Sequence, residues 1–390
     1  MVTRRQRTFH SEVSARLSSD MLSKPGSVLL GGSAELHELT ISSDLPLIVS
    51  LEVHASPPQQ QIMVEIMKEA WGAHLVNLHV KADENTPLPT LNSLRNRILI
   101  KVKYSAPGNA AKKGKKAPAS PSGVGTKGES SEEEDQVEAL SKGHIIPDLG
   151  SLGIYTRSYH FKDFNQPEAK VPTHIFSLSE TKLLDTHKRD APALFRHNKV
   201  SEQKILFVAA NPDCFSQKYL MRAYPKGTRV TSNNLDPAPF WRVGVQLVAL
   251  NWQYINAATM LNQAMFGSTG GWVLKPEGYR SHHHALSQDT ALDRGTLDLS
   301  IELFAGQQVG PPGKRLRMYV RCELHIEDVE ELRNEDLPQE GQVKEGQIKC
   351  RTETVRSETN PDFKRQVLRF NAVPDVAEEL TFIRYVVCFF

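Results

Sequence analysis

Arg222 to Gln253 reads RAYPKGTRVTSNNLDPAPFWRVGVQLVALNWQ: an Arg-x-Tyr pair, a Pro/Gly turn, a polar loop, then an apolar run that ends in an aromatic. Residues two apart on a strand point to the same side, so Arg222 and Tyr224 are expected on one surface at a strand end. A fork-shaped cation beside an aromatic ring suits a phosphorylated ring, because guanidinium bonds phosphate oxygens in pairs and the tyrosine can cover the ring. The bland reading, a surface arginine beside a tyrosine at the edge of the core, stays open on these residues alone.

Working outward, DLPLIVSLEVHASPPQQQ at Asp44 to Gln61 opens with a run short enough for a strand buried on both faces, as in a parallel barrel. Glu52 and His54 stand at its carboxyl end. Gln59 to Trp71 then shows helical spacing, with Ile62, Met63, Ile66, Met67 and Ala70 as its apolar positions. In RILIKVK, Arg97 to Lys103, the two lysines Lys101 and Lys103 emerge on one side of a strand and repel each other unless an anion lies between them. A strand running into solvent with flanking lysines is the alternative. IPDLGSLGIYTRSYHF at Ile146 to Phe161 reopens strand-like structure from Leu149 to Tyr155, and HIFSLS at His174 to Ser179 is a short extended run before a helix at Glu180 to Lys188. Five strand-like segments count before the connector, near Leu47, Ile98, Leu152, Leu220 and Val245. Ile175 to Ser177 is too short to add to them.

The chain has 390 residues, 39% of them hydrophobic, enough for two or three packed domains. Its net charge of +2 requires any basic surface to be local. Four cysteines without C-x-x-C spacing suggest reduced thiols, and no run of about 18 apolar residues is present, so lipid contact would be peripheral. Residues 1–42, rich in Arg and Ser, and residues 105–143, which hold KKGKK at Lys112 to Lys116 and ESSEEED at Glu129 to Asp135, offer little apolar surface to offset ordering entropy. Both are expected to be disordered. Past Pro276 the character changes: residues 280–294 form a polar connector whose His282 to His284 run lacks metal-site spacing, and residues 295–390 alternate in Thr296 to Ala305, Leu316 to Glu323 and Val367 to Phe370, which is a β-sandwich pattern.

Four of these segments, Asp44 to Gln61, Ile146 to Phe161, Tyr224 to Gln253 and GGWVLKP at Gly270 to Pro276, resemble the eukaryotic phosphoinositide-specific phospholipase C family, of fungal type, over about Ser43 to Val387. The resemblance implies a partial TIM (β/α) barrel, made of residues 43–104 at the end of its first half and 144–279 as its second half. A C2-type sandwich that lacks its last strands follows. It implies calcium-dependent hydrolysis of phosphatidylinositol 4,5-bisphosphate to diacylglycerol and inositol 1,4,5-trisphosphate by a cytoplasmic protein bound peripherally to an anionic membrane. It assigns Glu52 to calcium, and Lys101, Lys103, Ser177, Arg222 and Tyr224 to the substrate. The family's catalytic histidines have no match here, His54 falling on a different position, so the chain is expected to be an incomplete and inactive form. GQQVGPPGKRLR at Gly306 to Arg317 offers no Asp for calcium, so calcium-dependent docking by the sandwich is not expected. A non-catalytic phosphoinositide-binding protein is the alternative, and a basic interaction protein acting through KKGKK is a third.

Overall fold

The structure, a computed structural model, describes residues 44–76, 89–103, 145–198, 219–229, 231–280, 291–309, 313–326, 342–344 and 347–390. The expectations for residues 1–42, for the charged stretch 105–143 and for His282 to His284 lie outside them.

Six parallel strands form one curled sheet in chain order: β1 (Leu47–Ser50), β2 (Ile98–Lys103), β3 (Arg157–Tyr159), β4 (His174–Ser179), β5 (Leu220–Tyr224) and β6 (Leu247–Val248). Five strands were expected, and two details differ. His174 to Ser179 is a full six-residue strand, because β3 and β5 pair with it on both sides and supply the order its own length does not. The strand expected from Leu149 to Tyr155 is instead the short helix α2 (Pro147–Ser151), with the true strand only starting at Arg157. Pro147 suits the first helical turn, and Leu149 is wholly buried among the residues that line β1, β2 and helix α1 (Pro57–Trp71).

Helix α1 forms where its spacing placed it and turns part of its apolar set inward. Gln60, Val64, Met67 and Trp71 are its buried residues, while Ile62 and Ala70 are exposed. Gln60 turns inward because its amide donates to the Ala55 carbonyl at 2.8 Å and its side-chain oxygen accepts from Ile146 N at 3.0 Å, which ties α1 to the start of α2, 86 residues later. The helix expected over Glu180 to Lys188 runs on as α3 (Glu180–Asn198) with a break at Asp190, whose carboxylate accepts from Ala193 N at 2.9 Å and caps a second helical segment. Phe195 to Asn198, FRHN, is thus the end of α3. Helices α4 (Ala238–Arg242) and α5 (Ala257–Phe266) complete this part.

GGWVLKP runs past the amino ends of the strands. The Trp272 indole donates to the Pro46 carbonyl at 3.0 Å just before β1, and the buried Lys275 ammonium donates to the carbonyls of Asn198 and Gly244 at 2.6 and 2.7 Å. Gly244 has φ of 78°, a left-handed turn that an L side chain would strain.

Two antiparallel sheets follow. β7 (Gly295–Ala305) pairs with β12 (Asp362–Val376). The second sheet holds β8 (Leu316–His325), β9 (Gln342–Lys344), β10 (Gln347–Arg351), β11 (Val355–Ser357) and β13 (Phe382–Phe389). Leu297, Leu299, Ile301 and Leu303 alternate inward as their spacing predicts, and meet Val320, Cys322, Leu324 and Phe370 in a common core. The barrel part and the sandwich share a further apolar cluster, which holds Phe195, Trp241 and Tyr279 together with Leu380 and Phe382 and in which the rings of Trp241 and Phe382 meet at 5.7 Å. The described architecture is a partial (β/α) barrel joined to a C2-like sandwich.

Candidate functional site

In-register partners of a parallel sheet point the same way. Ser50 pairs with Lys101, Lys103 with Ser158, Ser158 with Ile175, Ser177 with Arg222, and Ser179 with Tyr224. Lys101, Lys103, Ser177, Arg222 and Tyr224 therefore share one face of the curled sheet. The alternate residues Ile100, Val102, Phe176, Leu178, Met221 and Ala223 pack into cores on the other side, among residues of α1, α2, α3 and α4.

Lys101 is 7% exposed. Burial pushes its ammonium down to about 7, and the charges of Arg222 and Lys103 push the same way, with Glu52 alone opposing them. Burial also pulls the Arg222 guanidinium below its ordinary value, against the pull of Tyr224 and Glu52. These four charged groups thus form one electrostatic unit in which the cations outnumber the carboxylate. Beside them the Ser177 hydroxyl oxygen is buried without a hydrogen-bond partner, a donor with nothing to give its proton to. The capping role that a serine before a helix suggests is taken by Ser179, whose hydroxyl accepts from Lys182 N at 3.4 Å.

Tyr224 lies beside Arg222 on this face. The Arg222 guanidinium already lies 5.5 Å from the centre of its ring, so that aromatic face orients the arginine. Glu52 is exposed at the end of β1, its Oε1 3.5 Å from Nε2 of His54. His174, despite its position on β4, alternates with Ile175 and Ser177 and lies tilted against the Tyr159 ring, their centres 4.0 Å apart, away from this face.

One positioning device gave little signal in the sequence. Glu180, at the start of α3 and 6% exposed, accepts from Nε and Nη2 of Arg229, both at 2.7 Å, and from the Lys226 amide at 3.3 Å. This clamps the loop that follows Tyr224 to the end of β4, across 49 residues of sequence. Arg229→Ala leaves a buried carboxylate nearly unpaired and is expected to cost about 2 to 3 kcal/mol in urea unfolding. An unchanged midpoint would show that the clamp carries no weight.

Two family models match the chain: "Phosphatidylinositol-specific phospholipase C, X domain" over residues 37–104 and the "Y domain" of the same enzyme over residues 149–278. The chain belongs to the phosphatidylinositol-specific phospholipase C family. Among similar proteins of this family, 1-phosphatidylinositol 4,5-bisphosphate phosphodiesterase 1 of Candida albicans is 28% identical over 89% of the chain and 34% of its own length. The corresponding protein of Saccharomyces cerevisiae is 30% identical over 61% and 28%, and that of Dictyostelium discoideum 32% over 60% and 30%. The chain spans about a third of the length of these relatives. Among solved structures, PLC21 of S. officinalis superposes with a TM-score of 0.65 at 24% identity, covering 93% of this chain and 41% of its own. That likeness concerns the fold.

For a phospholipase C chain the residues also bear on a metal. Calcium takes six to eight oxygen ligands. Among the described residues no three of His, Cys, Asp and Glu gather where they could hold an ion, and Glu52 offers a single carboxylate. These residues alone do not fit a calcium site. No helix among the described residues is long and apolar enough to cross a membrane.

Proposed function

We propose that the concave face of the sheet binds the phosphorylated inositol ring of phosphatidylinositol 4,5-bisphosphate. In this reading residues 43–104 and 144–279 are the two parts of one catalytic barrel, and residues 295–390 are a sandwich that accompanies it at the lipid surface. Lys101, Lys103 and Arg222 take the ring phosphates, Ser177 donates its unpartnered hydroxyl to a phosphate oxygen, and Tyr224 fixes the plane of Arg222. The observation that carries the reading is the burial of Lys101 beside Arg222 and Lys103, which burial and like charge together push down to about 7. A fold keeps three cations together in a partly dry place at a cost, and a polyanion reverses the sign of that cost.

In this reading the reaction that goes with the ring is the family's, hydrolysis to diacylglycerol and inositol 1,4,5-trisphosphate with calcium by a cytoplasmic protein bound peripherally to the membrane, and residues 1–390, whose described residues assemble no calcium site, are an inactive form of it. Glu52 has the hard oxygen donor that calcium prefers. The groups of this face are otherwise those that hold phosphate, and the chemistry is routed through none of them here. Binding without turnover, the second reading, draws on the same residues.

Calorimetric titration with soluble inositol 1,4,5-trisphosphate, beside a vesicle assay for calcium-dependent hydrolysis, tests both. Binding by residues 1–390 is expected, weakened at least about tenfold by Arg222→Ala through loss of a charge-assisted pair, with hydrolysis at background. Equal affinity of the two proteins would remove the site. Turnover abolished by Glu52→Gln would overturn the expectation of inactivity.

A further inference from the structure

We propose that the free edge of β13 is a contact between two copies of this chain, in which residues 385–389 of each copy pair antiparallel about a two-fold axis at Val387 and join the two sandwiches through one continuous sheet. Among the described residues β13 pairs only with β8, so the backbone donors and acceptors of its other side meet no strand. The side chains are left in the same condition. Tyr385, Val387 and Phe389 stand in register with Cys322, Val320 and Met318 of β8, and in-register residues point to one face. The three β8 residues are 0%, 5% and 0% exposed, whereas their neighbours on β13 are 46%, 39% and 49% exposed. Ile383, on the same face, still packs into the sandwich core. Among the described residues the core layer thus thins out along β13 and leaves a row of three large apolar side chains, which a strand added at this edge would flank.

The other long edges are blunted against such pairing. β7 presents Asp298 and Glu302, and β12 carries Lys364, Arg365, Arg369, Pro374 and several register shifts. Charges, proline and bulges are the devices that keep strand edges apart. β13 has Arg384 alone, and that guanidinium is held by Glu323 at 2.6 Å and reaches Met260. From Tyr385 to Phe389 the edge reads Tyr-Val-Val-Cys-Phe, without a charge, a proline or a glycine. The barrel packs at the start of the strand, where the Trp241 ring meets Phe382 at 5.7 Å, ahead of the residues that pair.

This edge is its own complement, which selects a second copy as the occupant. Paired antiparallel about Val387, Tyr385 faces Phe389 of the partner subunit, Val387 faces Val387 of the partner subunit, and Val386 faces Cys388 of the partner subunit. Aromatic pairs and β-branched pairs are favourable across strands, and no like charges meet. The apolar row of one copy continues into that of the other, and a two-fold contact of this kind closes at two chains.

Sedimentation velocity of the full chain, at concentrations from about 1 to about 100 µM, reads the contact; the interface is small, so a weak and reversible dimer is expected. Tyr385→Lys sets an ammonium against Phe389 of the partner subunit and is expected to weaken the dimer at least about tenfold, as is Phe389→Glu. The double variant Tyr385→Lys/Phe389→Glu is expected to dimerise at least about fivefold more tightly than either single one, because each lysine then faces a glutamate across the axis. Within one strand the two positions lie about 13 Å apart, too far to pair. Val367→Lys, the same kind of change at an exposed valine of β12, is expected to leave the dimer unchanged. Should a single variant fail to fold, Val387→Lys, which sets like charges face to face on the axis, takes its place with the same expectation. A chain that stays monomeric at about 100 µM, a dimer indifferent to these changes, a double variant no tighter than the single ones, or growth beyond two chains would overturn the proposal.

Discussion

Lys101→Met is expected to make the folded chain more stable at pH 6 by an amount on the order of 3 to 5 kcal/mol, while weakening the binding of inositol trisphosphate at least about tenfold. The side chains have similar length, so the exchange removes a charge without opening a cavity. The ammonium goes from an ordinary 10.5 to about 7 on folding, driven first by burial and then by Arg222 and Lys103. A cationic group with a depressed folded value binds fewer protons folded than unfolded between those limits, so stability rises with pH there. The cost is complete below pH 7, declines up to pH 10.5 and is gone above. The advantage of the variant should follow the same course, large in denaturant unfolding at pH 6 and near zero above pH 10.5. A variant less stable than its parent at pH 6 would show that the cation is not strained, and the argument for a polyanion would lose its footing.

The sandwich holds the other large effect. Glu323 on β8 is 1% exposed and is ringed by Arg321 at 2.8 Å, Arg384 at 2.6 Å, Lys349 at 3.5 Å and His325 at 3.8 Å. Burial alone would raise its carboxyl, but the Arg384 hydrogen bond and the charges of Arg384, Lys349 and Arg321 outweigh burial and hold it below its ordinary value. Glu323→Gln leaves three cations facing one another and should cost about 3 kcal/mol or more, since breaking a buried pair from one side costs more than the pair contributes. A carboxyl with a depressed folded value gives stability that is present above the unfolded value and is lost as pH falls through the folded one. The difference between parent and variant should accordingly shrink below pH 4.5, the ordinary value. A denaturation midpoint unmoved by Glu323→Gln at pH 7 would contradict this. Arg384 also reaches Met260 on α5 at 3.3 Å, so the loss is expected to loosen the seam between sandwich and barrel.

Strand periodicity is local, so Lys101 with Lys103 and Arg222 with Tyr224 were legible as two pairs, each needing only its own strand to share a face, whereas Ser177 and the joining of the pairs into one group rest on the family resemblance. The alternation of β7 was legible for the same reason. What escaped is non-local. β3 has three residues and exists because β2 and β4 flank it, and its apolar neighbours 149–155 misled by resembling a strand while folding as a turn of helix and a bend. The depth of Lys101 depends on strands more than 50 residues away. Glu180 reads as an acidic residue at a helix start, a favourable place on electrostatic grounds, and nothing in its spacing names Arg229 as partner. That the Arg222 guanidinium lies against the Tyr224 ring is a contact between residues two apart on one strand face, which the Arg-x-Tyr spacing allows but does not require.

The central claim is that the uncompensated cations of the concave face are a seat for a phosphorylated ring. A crystal structure of residues 1–390 with inositol 1,4,5-trisphosphate tests it most directly. The account predicts ring phosphates within hydrogen-bond distance of Lys101, Lys103, Arg222 and the Ser177 hydroxyl, at the carboxyl ends of β2, β4 and β5. A ligand held on the sandwich, or on the barrel away from Lys101 and Arg222, would contradict it.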